Sequence, residues 1–134
     1  MMTAQDILKT KKTFALVGAT PDKWKYGYEV LMTLTNAGYS VLPINPKYQE
    51  IDGIKCHASL KELPQKPEVV ICALAPANTE KVVEAVKEIG IEILWMPPGC
   101  WSDEAVRKCQ QLNIEFVHDV CPIGTLQIMT ATNY

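Results

Sequence analysis

Residues 13–38 read TFALVGATPDKWKYGYEVLMTLTNAG, and this stretch decides the fold. Its first five residues form a short, largely apolar run, which is typical of a buried strand. A polar segment bounded by Gly18 and Gly27 follows, and apolar residues then recur at the spacing of one helical face. Gly38 stands where a helix commonly ends in a left-handed residue. The stretch therefore predicts a strand, a loop, and a helix that starts after Gly27.

The same alternation continues along the chain. Apolar runs predict further strands at 40–44, 69–74, 91–95 and 114–117. Polar residues that commonly cap helices predict helix starts at Thr3, Ser59, Asn78 and Ser102. The apolar tail after Cys121 has no clear period and carries no prediction. Strands that alternate with helices form a parallel sheet covered on both faces. We therefore predict an α/β fold, a Rossmann-like doubly wound parallel sheet, formed as a single domain over residues 1–134.

Composition narrows the classes of function. The formal net charge is −2, so no basic surface suggests a nucleic-acid partner. No apolar run reaches the roughly 20 residues of a membrane helix, and the amino terminus lacks the apolar segment of a signal peptide. The odd count of five cysteines predicts reduced thiols and a cytoplasmic location. With only two histidines and no C-x-x-C motif, we expect no metal site.

The loop after the first strand is the first candidate for ligand binding. In a doubly wound sheet, ligands bind beyond the carboxyl ends of the strands. The helix start after Gly27 offers unpaired N–H groups and a positive dipole end to a phosphate, and Lys23 and Lys25 add positive charge. The loop lacks the middle glycine of G-x-G-x-x-G and is longer, so an ordinary strand-to-helix loop remains the alternative.

The second loop, Asn45–Pro46–Lys47, bears on the kind of nucleotide. Proteins that bind NAD usually place an acid after this strand to hold the ribose 2′-hydroxyl. Here no acid is present, and Lys47 suits a nucleotide with an extra phosphate on its ribose. The alternative is that Lys47 is an ordinary solvated lysine.

Two later loops complete the predicted crevice. Ala75–Pro76–Ala77 forms a flat wall suited to adenine or, alternatively, only a helix start. Pro98–Gly99 leaves room for a thin pantetheine-like arm, although Pro-Gly is also an ordinary turn. Cys100 and Cys121 are placed to face the crevice, but buried inert cysteines are more common. No nucleophile, base and acid are spaced as a set, so we predict no catalytic residue.

The sequence also resembles a known family. It resembles the stand-alone CoA-binding proteins, and through them the amino-terminal domain of the succinyl-CoA synthetase α subunit. The resemblance is carried by Val17–Gly18–Ala19–Thr20, Lys25–Tyr26–Gly27, Gly38–Tyr39, Pro43–Ile44–Asn45–Pro46, Ile51, Gly53, Leu60, Leu63–Pro64, Pro67, Val69–Val70, Gly90–Ile91, Trp95, Pro98–Gly99, Asp119 and Cys121–Pro122. The sequence departs from the family at Pro97, where Gln is common, and at Val120, where Arg is common.

The resemblance implies a position for each part of coenzyme A. It implies CoA over the first loop with its diphosphate at the helix start, and Lys47 near the 3′-phosphoadenosine. It implies adenine beside residues 75–77 and pantetheine along residues 98–99. The expected ligand-binding residues are Gly18, Ala19, Thr20, Lys23, Lys25, Tyr26, Gly27, Asn45, Pro46, Lys47, Ala75, Pro76, Ala77, Pro98 and Gly99.

Three hypotheses about function follow. The first is a module that binds coenzyme A or an acyl-CoA and has no catalysis of its own. The second is an enzyme that uses NADP or another dinucleotide, with the missing substrate domain counting against it. The third is a redox role in which a cysteine forms a mixed disulfide with CoA.

Overall fold

The computed structural model describes residues 1–131, which form seven strands and five helices. The strands are β1 (Thr13–Val17), β2 (Ser40–Ile44), β3 (Glu50–Ile51), β4 (Ile54–Lys55), β5 (Val69–Cys72), β6 (Ile93–Met96) and β7 (Glu115–His118). The helices are α1 (Ala4–Thr10), α2 (Tyr26–Asn36), α3 (Pro76–Ile89), α4 (Asp103–Gln111) and α5 (Pro122–Ala131). A short 3₁₀ turn spans Leu60–Glu62.

The five longer strands form one parallel sheet in the order β2-β1-β5-β6-β7, while β3 and β4 pair as a small antiparallel hairpin. From β1 the chain adds β2 toward one edge of the sheet. After β5 it adds β6 and then β7 toward the opposite edge, so the strand order reverses between β1 and β5. Helix α5 contacts both α1 and α2 on one face, and α3 packs against α4 on the other. This arrangement confirms the predicted doubly wound parallel sheet.

Successive side chains of β1 enter opposite layers of the core. Phe14 and Leu16 pack with apolar residues of α1, α2 and α5, whereas Ala15 packs with those of α3 and α4. Trp95 of β6 is fully buried in the first layer, and its indole N–H donates to the carbonyl oxygen of Val120 at 2.7 Å. Because helices cover both faces, the central strands appear in the sequence as unbroken apolar runs.

Two helix starts differ from the sequence expectation. Helix α2 begins at Tyr26 with Lys25 as its N-cap, so Gly27 lies within the first turn and not before it. Helix α3 begins at Pro76 after an extended Ala75, so the predicted cap at Asn78 is wrong. Proline favours the first helical position because its φ is already helical and it has no N–H to leave unpaired. The predicted cap at Ser102 is confirmed: its Oγ accepts the N–H of Ala105 at 3.0 Å.

Two further segments also differ. At Ser59, the predicted capped helix is only the 3₁₀ turn, and the serine hydroxyl donates to the Glu62 carboxylate at 3.2 Å instead of capping the backbone. The tail for which we made no prediction forms α5.

Among residues 1–131, no helix is long and apolar enough to cross a membrane. The same residues contain no group of three or more His, Cys, Asp or Glu placed to hold a metal ion.

Candidate functional site

A cavity of about 550 Å³ lies at the carboxyl edge of the sheet, where the strand order reverses. The carboxyl ends of β1 and β2 form its floor, the segment 58–61 forms one side, and α3 with Leu74 forms the other. Its lining residues are Val17, Gly18, Ile44, Asn45, Pro46, Lys47, Ala58, Ser59, Leu60, Lys61, Leu74, Asn78, Lys81, Val82 and Ala85. Most of this surface is apolar, and its charged groups are lysines.

The backbone at Gly18 passes very close to neighbouring segments. Gly18 has a φ of +91°, and a Cβ there would lie 2.2 Å from the carbonyl oxygen of Ala73. A Cβ at Gly27 would lie 2.3 Å from the carbonyl oxygen of Gly18. Both glycines are therefore required by contacts within the chain itself. Their combined effect is to seat the first turn of α2 directly over the end of β1.

Side chains within the first loop order its backbone. The N–H of Asp22 donates to Thr20 Oγ1 at 3.2 Å, and the N–H of Trp24 donates to Asp22 Oδ1 at 3.0 Å. The Trp24 side chain is 97% exposed, and Lys23 and Lys25 beside it are exposed as well. Lys25 makes no side-chain cap at the start of α2. The N–H groups of Tyr26 and Gly27 therefore have no side-chain cap, and uncapped N–H groups at a helix start suit an anion.

Asn45 joins the first two predicted loops. Its amide nitrogen donates to the carbonyl oxygen of Ala19 at 2.9 Å, and its amide oxygen accepts the N–H of Lys47 at 2.9 Å. Beside it, the N–H of Gly18 donates to the carbonyl oxygen of Ile44 at 3.1 Å, which extends the β1–β2 pairing beyond the strands. Asn45 thus fixes the backbone from which Lys47 reaches the cavity.

Three lysines line the cavity, but they differ in their surroundings. Lys61 forms an ion pair with Glu88 at 3.2 Å. Lys47 and Lys81 form no ion pair with any residue in the described range 1–131. Sequence reasoning missed Lys61 and Lys81. The available signal was the helical spacing that puts Lys81 on the same face of α3 as Asn78 and Ala85.

A second group lies at the carboxyl ends of β6 and β7. The hydroxyl of Tyr26 is 3.0 Å from the sulfur of Cys121. Burial, followed by the hydrogen bond with Cys121, raises the pKa of Tyr26 far above its usual range. Burial also raises the pKa of the Cys100 thiol, so this cysteine stays protonated at neutral pH. Of the five cysteines, only Cys121 is not buried.

The predicted ligand-binding residues separate into two sets. Gly18, Asn45, Pro46 and Lys47 line the cavity. The others lie outside it, in the loops and helix starts after the ends of β1, β5 and β6: Ala19, Thr20, Lys23, Lys25, Tyr26, Gly27, Ala75, Pro76, Ala77, Pro98 and Gly99. Their contact with a ligand stays a prediction.

Relatives of this chain include short proteins and pieces of much longer ones. It is 26% identical over 117 residues to the protein YneT of Bacillus subtilis (strain 168), covering 87% of each chain. It is 31% identical over 81 residues to an ADP-forming acetate–CoA ligase of Methanocaldococcus jannaschii, covering 60% of this chain and 12% of the ligase. The α subunit of the corresponding ligase II of Pyrococcus furiosus is 27% identical over 117 residues, or 84% of this chain and 25% of the subunit.

Solved structures agree with this relationship. A hypothetical protein from Pyrococcus horikoshii OT3 superposes with a TM-score of 0.88 at 32% identity, covering 95% of this chain and 92% of that one. A protein from Pyrococcus furiosus gives a TM-score of 0.81 at 36% identity over 84% and 97% of the two chains. The family model described as the CoA binding domain matches residues 12–127. The resemblance seen in the sequence is confirmed, and the chain belongs to the CoA binding domain family.

Proposed function

We propose that this protein binds coenzyme A or an acyl-CoA along the carboxyl edge of its sheet and performs no catalysis of its own. The observation that carries the proposal is the cavity at the reversal of strand order. Its walls are apolar, its charged lining groups are three lysines, and its lining includes no acid. An apolar cavity edged by cations suits an adenosine that carries phosphate.

The remaining parts of CoA have matching surroundings along the same edge. The uncapped start of α2, with exposed Lys23 and Lys25 just before it, suits the diphosphate. The exposed Pro98 and Gly99 lie further along the edge and leave an open path for the pantetheine arm, since a Cβ at Gly99 would meet nothing within 4 Å. In this arrangement the CoA thiol emerges near Cys121.

The lack of an acid after β2 counts against NAD, whose ribose hydroxyls are usually held by one there. NADP remains the second candidate, because Lys47 is equally suited to a phosphate at the ribose 2′ position.

The names of the longer relatives include ligases that act on acetate and CoA, but this chain spans only 12% of one of them. The five unpaired cysteines suit a reducing compartment, and we propose a cytoplasmic location.

Thermal unfolding scans test the proposal. At a CoA concentration 100 times its dissociation constant, the ligand adds about 2.7 kcal/mol to the free energy of unfolding. We expect CoA and acetyl-CoA to raise the unfolding temperature and NAD to leave it unchanged. A rise with NADP and none with CoA would show that the site serves a dinucleotide-using enzyme instead.

A further inference from the structure

One face of helix α3 forms a wall of the cavity. Its lining residues are spaced at i, i+3, i+4 and i+7: Asn78, Lys81, Val82 and Ala85. Residues at this spacing share one side of a helix. Lys81 is the one charged residue among these four.

The acids of α3 are engaged with other elements. Ser102 Oγ donates to the Glu80 carboxylate at 2.7 Å, Lys108 lies 3.2 Å from that of Glu84, and Lys61 lies 3.2 Å from that of Glu88. The first two contacts hold α3 against α4 and the residue that caps it. Lys81 has no ion pair among residues 1–131, so its charge is not compensated by a neighbour.

Lys47 is the second lysine of the cavity lining that lacks an ion pair within residues 1–131. It follows β2, and its backbone is fixed through Asn45. Like Lys81, it has no ion pair among the described residues. Two ammonium groups that line one apolar cavity without ion pairs in the described part of the chain favour a bound anion, because an anion that contacts both reduces their mutual repulsion.

We propose that Lys81 is a specificity-determining residue which, together with Lys47, binds the phosphate on the adenosine ribose and so selects 3′-phosphorylated ligands. This inference rests on the proposed binding of CoA. The apolar walls take the adenine and ribose, and the phosphate lies between the two lysines. Lys61 contributes less because Glu88 already pairs with it.

Calorimetric titration of matched ligands and variants tests this role. Lys81→Met keeps the apolar stem and removes the charge. The control is Lys87→Met, an exposed lysine of the same helix that does not line this cavity. We expect Lys81→Met to weaken CoA about tenfold and to leave dephospho-CoA nearly unchanged, as for one charge-assisted contact. Lys87→Met changes neither affinity. Far-ultraviolet circular dichroism checks that both variants are folded.

Adenosine fragments isolate the contact from the rest of CoA. Wild-type protein should bind adenosine 3′,5′-bisphosphate more tightly than AMP, and Lys81→Met should reduce that preference about tenfold while Lys47 still contacts the phosphate. If Lys81→Met weakens CoA and dephospho-CoA equally, or weakens neither, the inference is overturned while the proposed function stands. If wild-type protein binds no CoA, the proposed function itself fails, and the inference fails with it. A preference for adenosine 2′,5′-bisphosphate also overturns the inference and favours NADP.

Discussion

The first turn of α2 rests on the carbonyl oxygen of Gly18, which would lie 2.3 Å from a Cβ at Gly27. Gly18 in turn has no space on its other side, where the carbonyl oxygen of Ala73 lies 2.2 Å from the position of a Cβ. The loop after β1 is therefore held between the start of α2 and the residue after β5. This contact determines where the positive end of α2 points.

Replacement of Gly18 should destabilise the protein strongly. Gly18→Ala forces a side chain into the left-handed region and into contact with a backbone carbonyl. The matched control is Gly38→Ala, since Gly38 has a φ of +98° and nothing within 4 Å of a Cβ. The control should cost about 1–2 kcal/mol for the backbone conformation alone, and Gly18→Ala about 1–3 kcal/mol more for the overlap. Urea denaturation measures both, and equal losses would show that the loop relaxes freely.

Asn45 should contribute both to stability and to ligand binding. Asn45→Ala removes the bond to Ala19 and the bond from Lys47, which we expect to lower the free energy of unfolding by about 1–3 kcal/mol. Because Lys47 loses its fixed backbone, CoA should also bind more weakly. Asn36→Ala, at the exposed end of α2, is the control. A variant with unchanged CoA affinity would show that Asn45 does not position Lys47 for binding.

The buried thiol of Cys109 should make stability depend on alkaline pH. Burial raises its pKa from 9.0 to about 11. Between these values the unfolded chain has lost the thiol proton and the folded protein keeps it, so stability falls as the pH rises through this range. Cys109→Ala should have a shallower fall between pH 9 and pH 11 than the wild type, as measured by denaturant unfolding. Other groups contribute equally to both proteins, and parallel curves would contradict the assignment.

Cys121 should react before the other cysteines. It is the one cysteine that is not buried, and it lies beside the Tyr26 hydroxyl. We expect maleimide to label it first, and acetyl-CoA, which has no free thiol, to slow the labelling if the pantetheine arm ends nearby. Peptide mapping by mass spectrometry identifies the labelled residue. Preferential labelling of Cys100 or Cys56 would contradict the arrangement of this edge.

The parallel sheet could be predicted from the sequence because each of its strands has a local run of apolar residues. Strands β1 and β2 have the predicted bounds, whereas β5, β6 and β7 overlap their predicted runs with shifted bounds. Ile91 shows why: its N–H donates to the carbonyl oxygen of Val86 at 3.0 Å, so it closes the end of α3 and precedes β6. An apolar residue just after a helix packs back on it as readily as it starts a strand.

The site was less accessible from sequence because it depends on contacts between distant segments. Lys81 lies on helix α3, whose pattern of apolar residues predicted only the face that packs in the core. In the packed fold, Lys81 lines the same cavity as the residues that follow β2. Likewise, Tyr26 and Cys121 are 95 positions apart, and no local pattern joins them. The loop after β2 was found because a parallel sheet gathers the carboxyl ends of its strands at one edge.

A crystal structure of the protein with CoA tests the central claim most directly. We predict that the diphosphate lies at the uncapped start of α2, and that adenosine fills the cavity with its 3′-phosphate between Lys47 and Lys81. The pantetheine arm should then run past Gly99 toward Cys121. CoA bound away from this edge of the sheet, or with its adenosine outside the cavity, would contradict the account.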